Sequence, residues 1–488
     1  MLADEATVRL EALQRMRDAG LDPYPASVPR THFVADVLKN FEKLKKKSAT
    51  VSIGGRLRAL RGHGGMTFAS LEDGSGSIQL AWKKDHVGTS NYEWIEKNLN
   101  IGDLIAVSGT LFSTKRGEKT VLSDKTRLAA KALLPLPEKW HGLTDVEIRY
   151  RKRYLDLLAN GYVREIFRTR GLILTAIRRF FDERDYLEVE TPILQPIAGG
   201  ASARPFLTHH NALSADLFLR IAPELYLKRL VVGGYERVYE IARCFRNEGI
   251  DHLHNPEFTQ IEWYEAWNDY RGFMKQIEEL LPTVIKAAGK DVAAVEYDKH
   301  MLNFTPPYPV RSFHDLLVEH AGVDLRTFGD RSSLLKKARS LKVEVSDKDS
   351  HGKIIDEIYK TFVRPKLVQP TFLVDHPVEL SPLAKRKTDD PQFVERFQLV
   401  VGGGIELVNA FSELNDPLDQ EERFKEQDRA RKAGDREAQQ MDSDYVEALK
   451  VGLPPTAGGG MGIDRLTALL TGNHSIKEVI LFPTLKPL

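Results

Sequence analysis

One string near the C-terminal end restricts this chain more than any other: Gly452-Leu-Pro-Pro-Thr-Ala-Gly-Gly-Gly-Met-Gly-Ile-Asp-Arg465. Two prolines end one element, and the four glycines after them let backbone pass close to a ligand. Arg465 then stands at the start of a helical stretch, Leu466–Leu470. A small-residue turn that delivers a fixed cation fits phosphate recognition. Alone, the string leaves open a tight turn with a surface arginine. A second arginine cluster far upstream decides between these readings. It runs Arg243-Cys-Phe-Arg246-Asn-Glu248-Gly, followed by His254-Asn-Pro-Glu-Phe258-Thr-Gln-Ile-Glu262-Trp-Tyr264.

A chain of 488 residues predicts two or three domains. No apolar run approaches the roughly 18 residues that span a membrane. The first residues, Met1-Leu-Ala-Asp-Glu-Ala-Thr, lack the apolar centre of a signal peptide. The single cysteine, Cys244, excludes an internal disulfide and a cysteine zinc cage. A cytoplasmic setting is therefore expected. Net charge is only +1, yet residues 1–140 hold 22 Lys and Arg against 16 Asp and Glu. That basic N-terminal part suits a phosphate-backbone partner. The run Lys43-Leu-Lys-Lys-Lys47 reads as a solvated helix end.

Residues 5–19 and 35–47 carry helical spacing of apolar positions, the first ended by Gly20. From Val51 the pattern turns to β. Strands are predicted at 51–60, 66–71, 77–82, 105–112 and 120–123, with a helix near 92–98. Five strands with one inserted helix suggest an OB-type barrel. The prolines of Leu133-Leu-Pro-Leu-Pro137 mark a linker. Beyond it the pattern is α+β: a long helix over 163–183 and strands at 186–191, 217–221, 238–243 and 258–264. The last three look like strands of one antiparallel sheet. A glycine-turned hairpin spans 398–408, and a charged helical region spans 417–450.

The two arginine strings resemble motifs 2 and 3 of the class II aminoacyl-tRNA synthetases. The flanking text looks like the lysyl members of that class, and the likeness runs from Leu10 to Pro487. It implies an α+β architecture with four parts: a helical extension over 1–50, an OB-fold anticodon-binding domain over 51–135, a linker over 136–145 and a catalytic domain over 146–488. The catalytic domain would be an antiparallel sheet flanked by helices. It also implies Mg²⁺ with ATP as co-substrate, and L-lysine and tRNA(Lys) as partners. Pro192, after Tyr186-Leu-Glu-Val-Glu-Thr, matches the motif 1 proline of a homodimer interface.

Activating an amino acid with ATP needs positioning and fixed positive charge, not a side-chain nucleophile. By resemblance Arg246 bridges the substrate carboxylate and the α-phosphate, and Arg465 serves the γ-phosphate. These two are the expected catalytic groups. Glu248 holds the adenine amino group, Phe258 stacks on its ring, and His254, Asn255 and Glu406 complete the ATP site. Lysine would be held by Gly200, Glu224, Arg246, Glu262, Tyr264, Asn409, Phe411 and Glu413. Glu224 and Glu413 would face its ε-ammonium and Glu262 its α-ammonium. In the barrel, Arg61, Phe68, Gln79 and Glu118 match the anticodon-reading residues, with Phe68 stacking on the central base. Magnesium is expected on Glu406, with Glu413 as a further candidate. Gln398 stands where relatives usually carry a glutamate ligand, and an amide brings no negative charge.

Two alternatives remain at this stage. One is a paralogue that activates lysine but transfers it to a protein. The other is an inactive, synthetase-like tRNA-binding protein.

Overall fold

The computed structural model describes residues 2–136, 143–201, 203–432 and 440–487. Most of the expected linker over 136–145 lies outside the described residues, as does part of the charged 417–450 region. The chain forms two compact units, Met1–Thr144 and Asp145–Leu488. No helix of the described residues is long and apolar enough to cross a membrane.

The N-terminal unit is a closed five-stranded barrel. Its strands are β1 (Val51–His63), β2 (Met66–Asp73), β3 (Gly76–Lys83), β4 (Leu104–Ser113) and β5 (Lys119–Ala130), in the order β1-β2-β3-β5-β4. Closure follows from period-2 alternation, which sends Thr67, Ala69 and Leu71 inward and leaves Met66, Phe68 and Ser70 half-buried outside. The predicted 35–47 helix is two short ones, Val34–Lys39 and Phe41–Lys46, because Asn40 leaves helical geometry at φ −103° and ψ 15°. Val34, Val37 and Phe41 still bury into the barrel core beside Met16 of the first helix.

The second unit is built on an eight-stranded sheet. Three short strands, β7 (Leu194–Gln195), β8 (Leu207–His210) and β9 (Ala215–Leu219), form a separate sheet, and β12 (Val295–Tyr297) pairs with β13 (His300–Leu302). The main sheet contains β6 (Leu187–Glu188), β10 (Arg237–Phe245), β11 (Glu257–Ala266), β14 (Val310–Ser312), β15 (Thr371–Pro377), β16 (Phe393–Val401), β17 (Ile405–Ser412) and β18 (Thr456–Gly462). Their order is β14-β15-β16-β17-β18-β11-β10-β6. The six central strands are antiparallel, and the two edge strands join in parallel.

Two expectations are corrected here. The strand predicted at 217–221 belongs to the small sheet, because its partners are Leu194–Gln195 and Leu207–His210. The glycine run at 458–462 is not a turn. It is a central strand, paired on both sides by β11 and β17. Low strand propensity is overridden because neighbouring side chains fill the space a Cβ would take. At Gly459 that Cβ would come within 2.8 Å of the Ala410 Cβ and 3.3 Å of the Trp263 ring.

Alternation then divides the sheet into two faces. Ile261 and Trp263 of β11, Phe397 and Leu399 of β16, and Met461 of β18 join the main core. Helices Gly161–Asp182 and Tyr270–Ala287 cover that face through Ile173, Ile177, Phe181, Phe273 and Ile277. The even-numbered residues of β11 project from the opposite face, where the pocket lies.

Candidate active site

On β11 the outward residues are Phe258, Gln260, Glu262 and Tyr264. They stand opposite Cys244, Ala242, Glu240 and Val238 of β10, and opposite Gly462, Gly460 and Gly458 of β18 from Gln260 onward. Asn409 and Phe411 of β17 complete the row, opposite Gly460 and Gly458. The glycine strand is thus a floor without side chains between two strands that carry them. One pocket contains Arg246, Glu248, His254, Asn255, Phe258 and the glycines. It also contains Glu406, Asn409, Phe411, Arg465, Gly200, Glu224, Glu262 and Tyr264. Every expected ATP-site residue lines it, and so does every expected lysine-site residue except Glu413.

The strand direction orders this pocket. Tyr264 stands six positions after Phe258, about 20 Å at a strand's rise of ~3.3 Å per residue. At the Phe258 end the Arg246 guanidinium carbon lies 5.0 Å from the ring centroid. Arg246 Nε is buried and has no protein partner, as does Asn255 Oδ1. Asn255 Nδ2 donates to the Glu257 carbonyl at 2.6 Å, and the Arg246 backbone N–H donates to the Pro256 carbonyl at 2.8 Å. Arg465 is the third residue of helix Ile463–Leu470. It donates to the Glu406 carbonyl at 2.9 Å and lies 3.3 Å from His254 Nε2. His254 Nδ1 faces Asp251 at 2.8 Å. Burial pulls the Arg465 pKa below its ordinary value, partly offset by the Glu406 charge. The Arg246 Nε, a buried cationic donor with no protein partner, suits an anion at this end.

The Tyr264 end is acidic. Burial pushes the Glu262 carboxyl well above the usual range, and the Glu224 charge adds to that. Glu262 accepts from Gln260 Nε2 at 2.6 Å and from the Tyr264 hydroxyl at 3.3 Å. Asn409 is fixed from β16, where Arg396 Nε donates to its Oδ1 at 2.8 Å. Gly200 (φ +87°) turns the chain against Glu224, and a Cβ there would sit 3.0 Å from the Glu224 Cβ.

Two expected residues are elsewhere. Glu413 is not among the lining residues; it is fully buried against Gly458 and Tyr264, where its carboxylate is paired with Lys228. Gln398 is also off the wall. It shares the face of Asn409, its register partner, but its Oε1 lies 3.2 Å from His376 Nε2, inside the protein. Burial holds His376 well below its ordinary pKa, helped by Arg396, so a neutral ring faces a neutral amide. Among the described residues no three acidic, histidine or cysteine side chains cluster as a metal cage. Gln398 is engaged by His376 and Glu413 by Lys228, which leaves Glu406 as the expected metal ligand that lines the pocket.

Sequence reasoning missed Lys228, Gln260 and Asp464. Gln260 was legible, since it alternates with Phe258 and Glu262. Asp464 accepts the Thr259 backbone N–H at 2.9 Å and pairs with Arg170 at 2.6 Å, contacts between segments far apart in sequence.

In the barrel the four singled-out residues share the outer surface. Arg61 lies directly across from Phe68. Gln79 lies across from Ser70 on one side and Thr120 on the other. Its amide Nε2 donates to Glu118 at 2.5 Å, and its Oε1 accepts from the Thr120 hydroxyl at 2.7 Å. Phe68 is half-buried and absent from the barrel core.

The sheet, the pocket at its centre and the two arginines define a known class. Residues 145–486 match the family model "tRNA synthetases class II (D, K and N)", and residues 51–129 match "OB-fold nucleic acid binding domain". The chain belongs to the class II tRNA synthetases of that group. Within it, a protein of Roseiflexus sp. (strain RS-1) is 50% identical over 98% of both chains. One of Pelotomaculum thermopropionicum is 49% identical over 98% of this chain and 94% of its own. One of Moorella thermoacetica is 48% identical over 99% and 98%. Each of the three carries the name lysine–tRNA ligase.

Proposed function

We propose that this chain is a lysine–tRNA ligase, forming lysyl-adenylate from lysine and ATP and passing the lysyl group to the 3′-terminal ribose of tRNA(Lys). The observation that carries this reading is the ordered pocket. Arg246, whose buried Nε has no protein partner, stands with Arg465 at one end and the buried carboxylates Glu224 and Glu262 at the other, over a floor of glycine. An amino acid with two ammonium groups lying across it places its carboxylate toward Arg246. The α-phosphate of ATP would meet the same guanidinium, with adenine against Phe258 and its amino group at Glu248. Attack of the carboxylate oxygen on the α-phosphorus forms the mixed anhydride as pyrophosphate leaves. No protein nucleophile enters, so catalysis is alignment plus charge stabilisation. Glu262 takes the α-ammonium and Glu224 the ε-ammonium.

Magnesium would arrive with ATP and neutralise charge on the phosphates. Glu406 lines the pocket beside Arg465, which donates to its backbone carbonyl, and a carboxylate plus phosphate oxygens suits that ion. The chain is further read as a cytoplasmic homodimer. Exposed Leu187, Ile193 and Leu194 around the Pro192 segment, with Leu172 on the adjoining helix, support a subunit interface there.

The outer barrel patch is read as the anticodon site. Its presence favours a tRNA acceptor over a protein acceptor, and the assembled pocket argues against an inactive binding module. The first test is pyrophosphate exchange with each of the twenty amino acids: lysine alone should support it, and exchange with another amino acid but not lysine would overturn the reading. For the barrel, Phe68→Ala should raise the KM for tRNA by about tenfold or more, in line with ~1–3 kcal/mol per stacked base. Exchange without tRNA should be unchanged. An equal fall in both assays would make Phe68 a structural residue instead.

A further inference from the structure

Arg170 belongs to helix Gly161–Asp182 and is not among the residues lining the pocket, yet it touches two segments that shape the pocket's arginine end. Its Nη1 lies 2.6 Å from Asp464 Oδ1, an ion contact without hydrogen-bond alignment. The same nitrogen donates to the Val479 carbonyl at 3.3 Å. The pair is shielded from water, with side-chain exposures of 15% for Arg170 and 4% for Asp464. Asp464 directly precedes Arg465 and lines the pocket. Its other oxygen, Oδ2, accepts the Thr259 N–H at 2.9 Å. The ladder between β11 and β18 ends one residue away, at the Gln260–Gly462 pair. From there toward Phe258, β11 pairs with β10 among the described residues, and the Asp464 carboxylate supplies the bond on the open side. Val479 follows the short turn Ile476–Glu478. Ile476 lines the pocket, and its N–H donates at 2.9 Å to the His252 carbonyl, in the loop that carries Glu248 and His254.

We infer that Arg170 is a positioning residue for the nucleotide: by holding Asp464 against the Thr259 N–H, it fixes Phe258 and Arg465 relative to each other. The inference rests on the reading of this end of the pocket as the ATP site. Thr259 is the chain neighbour of Phe258, and Asp464 is the chain neighbour of Arg465. One carboxylate therefore ties the ring expected under adenine to the guanidinium expected at the γ-phosphate. A buried carboxylate without a counter-cation is costly. Losing Arg170 frees it to turn toward another cation or to take up a proton, and the tie to Thr259 slackens. The lysine end has no such dependence. Glu262 and Tyr264 lie farther along β11, where strands pair on both sides: Glu240 and Val238 from β10, Gly460 and Gly458 from β18. The effect of Arg170 is therefore confined to the half of the pocket that meets ATP.

The test is a split between two Michaelis constants in lysine-dependent pyrophosphate exchange. Arg170→Met removes the cation and keeps much of the apolar stem. Its ATP KM should rise about tenfold or more, while its lysine KM stays within about threefold of wild type. Arg170→Lys restores a cation and should recover most of the loss. Asp464→Ala should show the same split as Arg170→Met. Because both act through one contact, adding Arg170→Met to Asp464→Ala should raise the ATP KM by no more than about threefold further. An unchanged ATP KM in Arg170→Met overturns the inference. So does a lysine KM that rises in step with the ATP KM, which would make Arg170 a support of the whole fold. Losses that multiply in the double variant overturn it too, since Arg170 would then act by a route other than Asp464. Should thermal melting show Arg170→Met unfolded, Arg170→Gln carries the same prediction with a polar side chain in place. Failure of the wild-type protein to exchange with lysine would instead reject the functional reading itself.

Discussion

Arg246→Ala should abolish lysine-dependent pyrophosphate exchange, lowering kcat by about a thousandfold or more. Removing one preorganised donor from a developing anion costs about two to three orders of magnitude elsewhere, and Arg246 is placed to serve two anions at once. It follows β10 directly, and its backbone N–H is pinned to Pro256. Its guanidinium lies over Phe258, and its buried Nε finds no acceptor within the protein. A donor left without a partner in a dry site costs about 1–3 kcal/mol, a cost that an arriving carboxylate or phosphate oxygen removes. Arg246→Lys should fall nearly as far, because an ammonium offers no planar fork to bridge two oxygen pairs. The check is exchange kinetics beside thermal melting. Activity within tenfold of wild type, with melting unchanged, would place Arg246 outside the reacting centre.

The site was legible where one strand carries it. Phe258, Glu262 and Tyr264 lie two or four residues apart, so alternation alone puts them on one face, and Gln260 with them. Arg465 was legible because a helix start after glycines can deliver little else. What failed were features that depend on pairing between distant segments. The glycine run looks like a turn by composition, and only the side chains of β11 and β17 make it a strand. The 217–221 strand has the same alternation as its neighbours, yet its partners lie in the small sheet. Gln398 was placed on the correct face by parity, but whether an amide turns to the pocket or to His376 is settled by packing from β15. Lys228 was hidden for a related reason. Glu224 and Lys228 read as an ordinary i,i+4 helix pair, and only the chain returning through β17 to Glu413 turns that pair into a buried three-charge cluster.

Gly458→Ala should be nearly as damaging as loss of Arg246, by a different route. The added methyl would fall on the Tyr264 ring and the Glu413 carboxylate at distances no packed pair tolerates. Neither neighbour is free to move. Tyr264 is fully buried with its hydroxyl toward Glu262, and Glu413 is locked to Lys228. Displacing either disturbs Glu224 through the shared ammonium, so the lysine KM should rise by about a hundredfold or more. Overpacking of this kind costs about 1–3 kcal/mol in stability, and the melting temperature should fall accordingly. Gly462→Ala is the control, since the nearest atoms to its methyl would be those of the Arg465 stem, at 3.5 to 3.6 Å. It should leave stability and the lysine KM near wild type while touching the ATP side. The two variants sit four residues apart on one strand, so their contrast separates strand propensity from pocket geometry. Equal losses of stability in both would mean that the strand simply requires glycine. A lysine KM within about threefold of wild type in Gly458→Ala would mean that Tyr264 and Glu413 do not form the amino-acid end.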